Sequence, residues 1–430
     1  MSYLDQLKNQ HLQLNQLVIY RKVLQDKLIQ KFVALISKLN DPQGNITEIQ
    51  NNYYEICYDL INTAERMNFK GDLWQNHLLH LVATDLNPFT LTSEKLGNKL
   101  GKSLREAATH DLIILKEILN LNLIKLAKLL EIEPINFIID YESSSIKEAN
   151  PQNIKKLKKI FSQTGNEKEL VQVLAKYHYS SGAGALNNHV AFSWDNQTGL
   201  VGIKDHDPIR FEDLIGYEKQ KEELIKNTER FIKGKRANNI LLYGDSGTGK
   251  SSSVKALLNK YAPQKLRLVE ITKEQMDQLP KILDILRHRG MYFILFMDDL
   301  SFEDFETDYK YLKAVIEGGI EVKPKNVLFY ATSNRRHLIK EKWIDRDQES
   351  GEIHLNDAIQ EKLSLVERFG ITIRYESPNQ KDYLRIVKEL AQKHQINLSD
   401  SELENKAKQW AMRHNGRSGR TVQQFINHYS

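Results

Sequence analysis

The chain has 430 residues, 40% of them hydrophobic and 27% charged, with a formal net charge of +5. This length predicts two or three domains, and the mild charge permits a polyanionic partner without demanding one. Cys57 is the single cysteine, which excludes an internal disulfide and is typical of a reducing compartment. The opening MSYLDQLKNQHLQLNQLV lacks the pattern of a secretion signal, and no run approaches the roughly 18 apolar residues that span a bilayer. We therefore expect a cytoplasmic protein without membrane insertion.

Two leucine stripes in the first half predict helices. Leucines recur at intervals of seven and four from Leu17 to Leu39, and at intervals of three or four from Leu112 to Leu130. Such stripes are usually the core faces of a helical bundle, although a groove for a partner or a coiled coil is an alternative. The sequence thus predicts a helical domain over residues 1–180 that serves recruitment or oligomerisation.

A basic run and a change of composition follow this domain. Four lysines lie between Lys155 and Lys159; they suit contact with nucleic acid or acidic lipid, although such a run is more often a solvated helix face. The sequence SSGAG at residues 180–184 interrupts the helical pattern, and polar segments follow it. These breaks predict a linker or hinge over residues 181–207.

After Pro208 short apolar runs alternate with amphipathic stretches long enough for helices. The four runs, rich in β-branched and aromatic residues, are 240–243, 266–271, 292–297 and 327–331. This alternation predicts a parallel sheet covered by helices on both faces, over residues 208–376. Helical periodicity returns from Gln380 and predicts a small helical lid over residues 377–430.

A glycine-rich segment follows the first of these strands. It fits the pattern GxxxxGK[ST] between a strand and a helix, a context in which glycines let backbone N–H groups point at phosphate oxygens. Lys250 supplies a cation for the β and γ phosphates, and the Ser251 hydroxyl is a ligand for Mg²⁺. An ordinary glycine-rich turn is the alternative. The residues predicted to bind ATP here are Gly244, Asp245, Ser246, Gly247, Thr248, Gly249, Lys250, Ser251 and Ser252.

Two carboxylates end the third apolar run. Asp298 and Asp299 follow Phe293–Met297 directly, so both emerge at the carboxyl edge of the sheet, where α/β proteins bind ligands. We assign Asp298 to the Mg²⁺ shell, and Asp299 to orienting or deprotonating the attacking water. A helix cap is the alternative explanation for such a pair.

Polar and cationic side chains follow the fourth run. Asn334 lies three residues beyond it and is suited to hydrogen-bonding the water or the γ-phosphate, although a turn-forming asparagine is the alternative. A guanidinium suits the spread charge of a transferring phosphoryl group. The candidate arginines near the ends of predicted elements are Arg335, Arg336, Arg368 and Arg420.

Together these motifs resemble the AAA+ ATPases over roughly Phe211–Ser430. The resemblance implies an α/β P-loop fold with a helical lid, ATP with Mg²⁺, and an adenine site at Ile215 and Gly216. It also implies that Asn334 is the sensor 1 residue and Arg420 the sensor 2 residue. Arg368 would be the arginine finger that reaches the ATP of a neighbouring subunit, which implies a homo-oligomer.

A narrower resemblance covers more of the chain. The segments YGDSGTGKSS, FMDDLSFE, YATSNRRHLI, EKLSLVERFG and DLWQNHLLHLVATDLNPF resemble a bacterial family of predicted AAA+ ATPases that is labelled only as a domain of unknown function. This resemblance implies the ATPase class and no biological role.

Two departures from the superfamily pattern bear on function. The usual Asp-Glu pair is Asp-Asp here, so Asp299 is one methylene shorter than the usual base, and Glu303 is a reserve candidate. The segment Thr272–Met276 lacks the aromatic, apolar and glycine trio of protein-threading members, which disfavours threading. The sequence therefore predicts an ATPase that remodels an unknown protein or nucleic-acid target. The alternatives are a nucleic-acid-associated loader and a non-hydrolysing, ATP-gated scaffold.

Overall fold

The computed structural model describes residues 3–40, 45–144, 151–302, 309–317, 323–334, 364–414 and 416–430. The chain divides into two compact units, Met1–His189 and Val190–Ser430. Among the described residues, no helix is both long and apolar enough to cross a membrane. The predicted segment boundaries at 180, 207 and 376 remain predictions, although two strands lie inside the predicted linker.

The N-terminal unit is built from helices around one apolar core. Short 3-10 helices lie at Arg21–Gln25 and Asn136–Ile139. The α-helices are α1 Tyr3–Leu14, α2 Lys27–Leu39, α3 Ile46–Met67, α4 Leu73–Thr84, α5 Pro88–Leu96, α6 Lys102–Leu119, α7 Leu123–Leu129, α8 Pro151–Gln163, α9 Glu167–Ser181 and α10 Ala185–Asn188.

Each leucine stripe is interrupted by a polar side chain that caps a new helix. The first stripe predicts one helix from Leu17, but α2 begins only after Asp26, whose carboxylate accepts from the N–H groups of Leu28 and Ile29. The second stripe is split after α6, because the Asn122 side chain accepts from Lys125 N–H and starts α7. Leucine spacing predicts the buried faces of these helices but not the points where one helix ends and the next begins. Those points depend on polar side chains that accept from the first N–H groups of a helix, and leucine spacing carries no information about them.

A buried carboxylate explains why the chain turns before α2. Asp111, on α6, is fully buried. Its Oδ2 accepts hydrogen bonds from the N–H groups of Val18 at 3.0 Å, Ile19 at 2.7 Å and Tyr20 at 2.8 Å. Three consecutive N–H groups that converge on one carboxylate are withdrawn from helical pairing, so the helix predicted from Leu17 does not form there.

The C-terminal unit combines a sheet with packed helices and a separate helical end. Its strands are β1 Ala191–Asp195, β2 Gly199–Ile203, β3 Ile240–Gly244, β4 Leu266–Glu270, β5 Tyr292–Met297, β6 Val327–Ser333 and β7 Ile371–Tyr375. Its α-helices are α11 Glu218–Ile232, α12 Lys250–Tyr261, α13 Leu279–Arg287, α14 Tyr309–Glu317, α15 Gln380–Lys393, α16 Asp400–Arg413 and α17 Gly419–Tyr429. The 3-10 helices are Phe211–Asp213, Ala262–Gln264 and Lys273–Gln278.

The seven strands form one sheet in the order β2-β1-β4-β5-β6-β3-β7. All neighbouring pairs are parallel except β1 and β2, which form an antiparallel hairpin. The four predicted apolar runs are β3 to β6, whereas β1, β2 and β7 were missed. Helices α15 to α17 pack around their own apolar cluster, which includes Val387, Leu403 and Phe425.

This architecture confirms the predicted fold class. The C-terminal unit is an α/β P-loop fold with a mostly parallel seven-stranded sheet and a C-terminal helical lid, and a mainly helical unit precedes it in the chain. Because β3, β5 and β6 are parallel neighbours or next neighbours, their carboxyl ends meet at one edge of the sheet. The residues that follow these strands are therefore brought together.

Candidate functional site

A loop of eight residues, Gly244–Ser251, joins the end of β3 to α12; we call it the glycine loop. Gly244, Gly247 and Gly249 have φ angles of +130°, +73° and +90°, a region that side chains rarely occupy. A Cβ placed on Gly244 would lie 2.0 Å from the Tyr375 carbonyl oxygen of β7. Among the described residues no side chain caps α12 at Gly249, so the first N–H groups of α12 are available to an anion.

Lys250 is buried at the base of the glycine loop and is held by oxygen acceptors. Its Nζ donates to the carbonyl oxygens of Gly244 at 2.8 Å and Asp245 at 2.7 Å. It also donates to Asn334 Oδ1 at 3.0 Å, which lies just beyond the end of β6. The ammonium group therefore lies between the glycine loop and the neighbouring strand, where an incoming anion would compete for its three donors.

The charges around Lys250 act in opposite directions on its pKa. Burial lowers the pKa of Lys250, while the carboxylates of Asp299, Asp245 and Asp298 oppose that shift and Arg420 adds to it. A cation that has lost its water gains more from a bound anion than an exposed cation does, because the surrounding dielectric is lower. The site is thus electrostatically prepared for a negatively charged group.

Ser251 and Asp298 meet at the mouth of the glycine loop. Ser251 Oγ donates to Asp298 Oδ1 at 2.5 Å, and the Thr332 hydroxyl donates to the same oxygen at 2.5 Å. The Thr332 oxygen in turn accepts from the Asp299 N–H at 2.9 Å. A hydroxyl beside a carboxylate is an oxygen donor set that fits Mg²⁺. Thr332 is a further residue of the site that the sequence motifs do not identify.

Asp299 and Asn334 form the second polar pair of the site. Asn334 Nδ2 donates to Asp299 Oδ1 at 2.7 Å, so Asn334 links the Lys250 ammonium to the Asp299 carboxylate. Asp299 has a φ of +51°, which places its backbone in the left-handed region. Three predicted residues that are far apart in sequence are therefore joined by hydrogen bonds.

These groups line one side of a cavity of about 710 Å³. Another part of its wall is more apolar, with Ile215, Gly216 and Tyr217 before α11, and Ile386 and Leu390 from α15. A cavity with one polar wall and one apolar wall matches a ligand with a charged tail and a flat, weakly polar ring. Predicted residues that line it are Ile215, Gly216, Ser246, Gly247, Thr248, Gly249, Lys250, Ser251, Ser252, Asp298, Asp299, Asn334 and Arg420.

The lid reaches the glycine loop through Arg420. Its backbone N–H donates to the Gly247 carbonyl oxygen at 3.1 Å. A Cβ placed on Gly247 would lie 2.9 Å from the Arg420 Cβ, so a glycine is needed for this close approach. Lys221, Lys255 and Gln423 also line the cavity, and no sequence motif identified them.

Two predicted site residues within the described part of the chain, Arg368 and Asp245, do not direct a side chain into this cavity. Arg368 forms an ion pair with Glu317, and it donates to the Ser364 carbonyl oxygen at 2.9 Å. The Asp245 carboxylate accepts from Ser377 N–H at 2.7 Å. Glu303, like Arg335 and Arg336, lies outside the described residues.

No curated protein matches the chain. Similar solved structures include a point mutant of RuvB from Thermotoga maritima, at 18% identity and a TM-score of 0.36, which covers 52% of this chain and 65% of that one. Another is the Thermotoga maritima RuvB Holliday junction branch migration motor, at 16% identity and a TM-score of 0.32, covering 51% of this chain and 72% of that one.

The chain thus spans 65% of the length of the first of these structures. A family model described as "Protein of unknown function (DUF815)" matches residues 187–430, which include the whole glycine loop, the carboxylate pair and the lid. Since this match covers more than half of the chain, the protein belongs to the DUF815 family.

Proposed function

We propose that the C-terminal unit binds ATP with Mg²⁺, hydrolyses it, and couples hydrolysis to the remodelling of a protein or nucleic-acid target. The observation that carries this proposal is the meeting of Lys250, Ser251, Asp298, Asp299 and Asn334 at one wall of the 710 Å³ cavity. Phosphoryl transfer needs positioning and charge stabilisation more than covalent chemistry. A desolvated cation, a cradle of N–H groups and two carboxylates supply both.

Each residue then has a distinct task. The glycine loop and Lys250 hold the phosphates, and Arg420 approaches them from the lid. Ser251 and Asp298 would hold Mg²⁺, which supplies positive charge beside the phosphate oxygens. Asp299 accepts a hydrogen bond from Asn334 at 2.7 Å, which fixes the direction of its carboxylate and leaves it able to take a proton from water.

The test measures binding and turnover separately. We expect calorimetry to detect ATP binding in the presence of Mg²⁺, and we expect steady-state phosphate release. Lys250→Ala should weaken binding by roughly a hundredfold or more, since each lost charge-assisted contact is worth about 1.5–3 kcal/mol. Asp299→Asn should retain binding and lose turnover. Lys260→Ala is a matched control, because Lys260 is an exposed lysine on the same helix that contacts the Phe211 and Tyr261 rings.

The two outcomes that contradict the proposal are distinct. If the wild-type protein and Lys250→Ala bind ATP equally, the glycine loop is not the nucleotide site. If ATP binds but no phosphate is released under any condition, the scaffold alternative replaces the ATPase. The scaffold has some support in the short Asp299 side chain, whose carboxylate is already hydrogen-bonded to Asn334.

A nucleic-acid-associated loader is the second candidate function. Exposed Lys156, Lys159 and Lys176 line a groove of about 490 Å³ between α8 and α9. Lys158 is not part of this surface, because its Nζ lies near Gly71. Burial lowers the pKa of Lys158, and the Asp72 carboxylate opposes part of that shift. The basic surface is therefore smaller than the sequence predicts.

Oligonucleotide binding tests this candidate. A loader should bind a single-stranded oligonucleotide with an affinity that falls steeply with salt, and reversing the charges of Lys156 and Lys159 should weaken it. Lys158→Gln should have a smaller effect. Absence of binding at low salt would remove the loader.

A further inference from the structure

The glycine loop and the first residues of the lid are joined by a carboxylate that no motif position requires. Asp245 Oδ2 accepts from Ser377 N–H at 2.7 Å, and Asp245 N–H donates to the Tyr375 carbonyl oxygen at 3.0 Å. Ser377 lies between the end of β7 and the start of α15. The second residue of the glycine loop therefore holds both sides of the junction where the lid begins.

The junction itself is firmly attached to its surroundings. The rings of Tyr217 and Tyr375 pack with centroids 5.0 Å apart, and the Tyr217 hydroxyl donates to the Glu376 carbonyl oxygen at 2.7 Å. Two residues after Ser377, the Asn379 side chain caps α15 by accepting from Asp382 N–H. A shift of Ser377 is thus passed within two residues to the first helix of the lid.

The other end of the connection is the cation of the site. Lys250 Nζ donates to the Asp245 carbonyl oxygen at 2.7 Å, so one residue is bonded to the ammonium through its backbone and to the lid junction through its side chain. When an anion takes over the donors of Lys250, this carbonyl oxygen loses one of its two donors and keeps only the Thr248 hydroxyl, at 2.8 Å, so the peptide that follows Asp245 is held less tightly and can shift.

The charge and orientation of the Asp245 carboxylate suit a role in positioning the lid rather than in binding phosphate. Its hydrogen bonds with Ser377 lower the pKa of the Asp245 carboxyl, so it stays ionised at neutral pH. A carboxylate directed into the cavity would repel phosphate. Its orientation toward Ser377 avoids that repulsion and gives the lid junction a charge-assisted hydrogen bond.

We propose that Asp245 is a positioning residue that transmits occupancy of the glycine loop to the lid. This inference rests on the proposed nucleotide-binding function. Binding moves the Asp245 backbone through Lys250, and the Asp245 side chain carries that movement to Ser377 and α15. The contact between Gly247 and Arg420 N–H, at 3.1 Å, gives the last lid helix a second point of attachment.

Hydrogen exchange on the full chain, with and without ATP and Mg²⁺, tests the connection. In the wild type we expect nucleotide to slow exchange in both α12 and α15. In Asp245→Ala, protection of α12 should persist while the additional protection of α15 falls by about tenfold or more, the value of one charge-assisted hydrogen bond. Asp245→Asn keeps an oxygen acceptor for Ser377 N–H and should restore most of the protection.

A second variant removes the same contact from the other side. Ser377→Pro deletes the N–H donor and leaves Asp245 in place, so it should reproduce the loss in α15. It also keeps the test valid if Asp245→Ala does not fold. Calorimetry on Ser377→Pro should still detect ATP binding, weakened by no more than about tenfold, because loss of a coupling contact lowers ATP affinity by the same factor as it lowers protection of the lid.

The outcomes separate the two proposals. If ATP protects α15 equally in the wild type, Asp245→Ala and Ser377→Pro, then Asp245 does not transmit occupancy, although the nucleotide site stands. If both helices lose protection in Asp245→Ala, Asp245 supports the glycine loop itself and the coupling role is wrong. If the wild type shows neither ATP binding nor protection, the proposed function and this inference both fail.

Discussion

Both units bury charged and polar side chains, but the surroundings of those side chains differ between the units. In the N-terminal unit, Asp111 is fully buried and its oxygens are taken by backbone N–H groups. Glu94 is also fully buried there and accepts from Ala183 N–H at 2.8 Å. In the C-terminal unit, the buried Lys250 is hydrogen-bonded too, yet it lines a cavity large enough for a ligand.

This difference indicates which buried polar groups stabilise the fold and which belong to a site. A buried carboxylate enclosed by backbone donors has no capacity left for a ligand, so its removal should cost stability. A group beside a cavity can exchange its present partner for a ligand atom, so its removal should cost binding or turnover. Four substitutions or conditions test this division.

The largest expected effect is that of replacing Arg368, which does not line the cavity of its own chain. Arg368 pairs with Glu317 and is partly exposed. If it acts on the ATP of a neighbouring subunit, Arg368→Ala should lower turnover by roughly a thousandfold or more with little change in ATP affinity. The loss of a partly exposed ion pair should change the unfolding free energy by less than about 1 kcal/mol. Phosphate release and calorimetry give the two values.

A mixing experiment decides whether Arg368 acts between subunits. Assemblies that combine Arg368→Ala and Lys250→Ala chains should recover part of the activity that each lacks alone. Failure to recover any activity would argue against action in trans. Arg230→Ala is a suitable control, since Arg230 is also exposed and donates to the Arg236 carbonyl oxygen.

Asp111→Ala should have the largest effect on stability. It leaves the N–H groups of Val18, Ile19 and Tyr20 without their acceptor, and we expect the N-terminal unit to lose roughly 3 kcal/mol or more. Denaturant unfolding together with hydrogen exchange in α6 measures this loss. ATP affinity should not change. An equal loss of unfolding free energy in the exposed control Asp140→Ala would show that the hydrogen bonds to Asp111 give no specific stabilisation.

Acid should destabilise the N-terminal unit through His178. Burial lowers the pKa of His178 to about 4, so between pH 6.5 and pH 4 the unfolded chain takes up a proton that the folded chain does not. Stability is therefore lost as pH falls through this window, by roughly 3 kcal/mol at the lower end, and is unaffected above it. Unfolding at pH 7 and pH 4.5 measures the change.

His178→Phe separates this contribution from other acid effects. Phenylalanine cannot take up a proton, so the variant should be less sensitive to pH across the same window even if it is less stable at pH 7. An unchanged pH dependence would assign acid sensitivity to other groups. The variant also tests the edge contact between the His178 and Phe89 rings.

The smallest expected effect lies in the C-terminal unit, away from the cavity. The buried Tyr330 hydroxyl is 2.8 Å from the Thr228 hydroxyl and accepts from Asn227 Nδ2 at 3.1 Å. Tyr330→Phe should cost about 1 kcal/mol of unfolding free energy and leave ATP affinity unchanged. A change in ATP affinity without a change in stability would contradict the distinction between buried polar groups that stabilise the fold and polar groups that line the cavity.

Local signals in the sequence predicted much of the C-terminal unit. The apolar runs that became β3 to β6 are short, rich in β-branched and aromatic residues, and bounded by polar residues. The glycine loop was predicted because positive φ angles require glycine at fixed spacings. Such features depend on neighbouring residues and can be identified from the sequence alone.

Features that depend on distant partners were missed. The hairpin of β1 and β2 contains GLVGI, a weak strand signal that is stabilised by pairing of β1 with β4. Nothing near Asp111 in sequence indicates that it stops a helix some ninety residues earlier. Asp245 was predicted to bind the cofactor, and no local pattern shows that its side chain turns toward Ser377.

The left-handed backbone at Asp299 gives a reason for the length of its side chain. Aspartate is among the few residues other than glycine that occupy this region readily, whereas longer side chains occupy it less often. At this position a short acid is therefore what the peptide geometry favours, and Asp299→Glu would strain the main chain while it extends the carboxylate. Asp299→Glu would therefore change the backbone conformation and the position of the carboxylate at the same time.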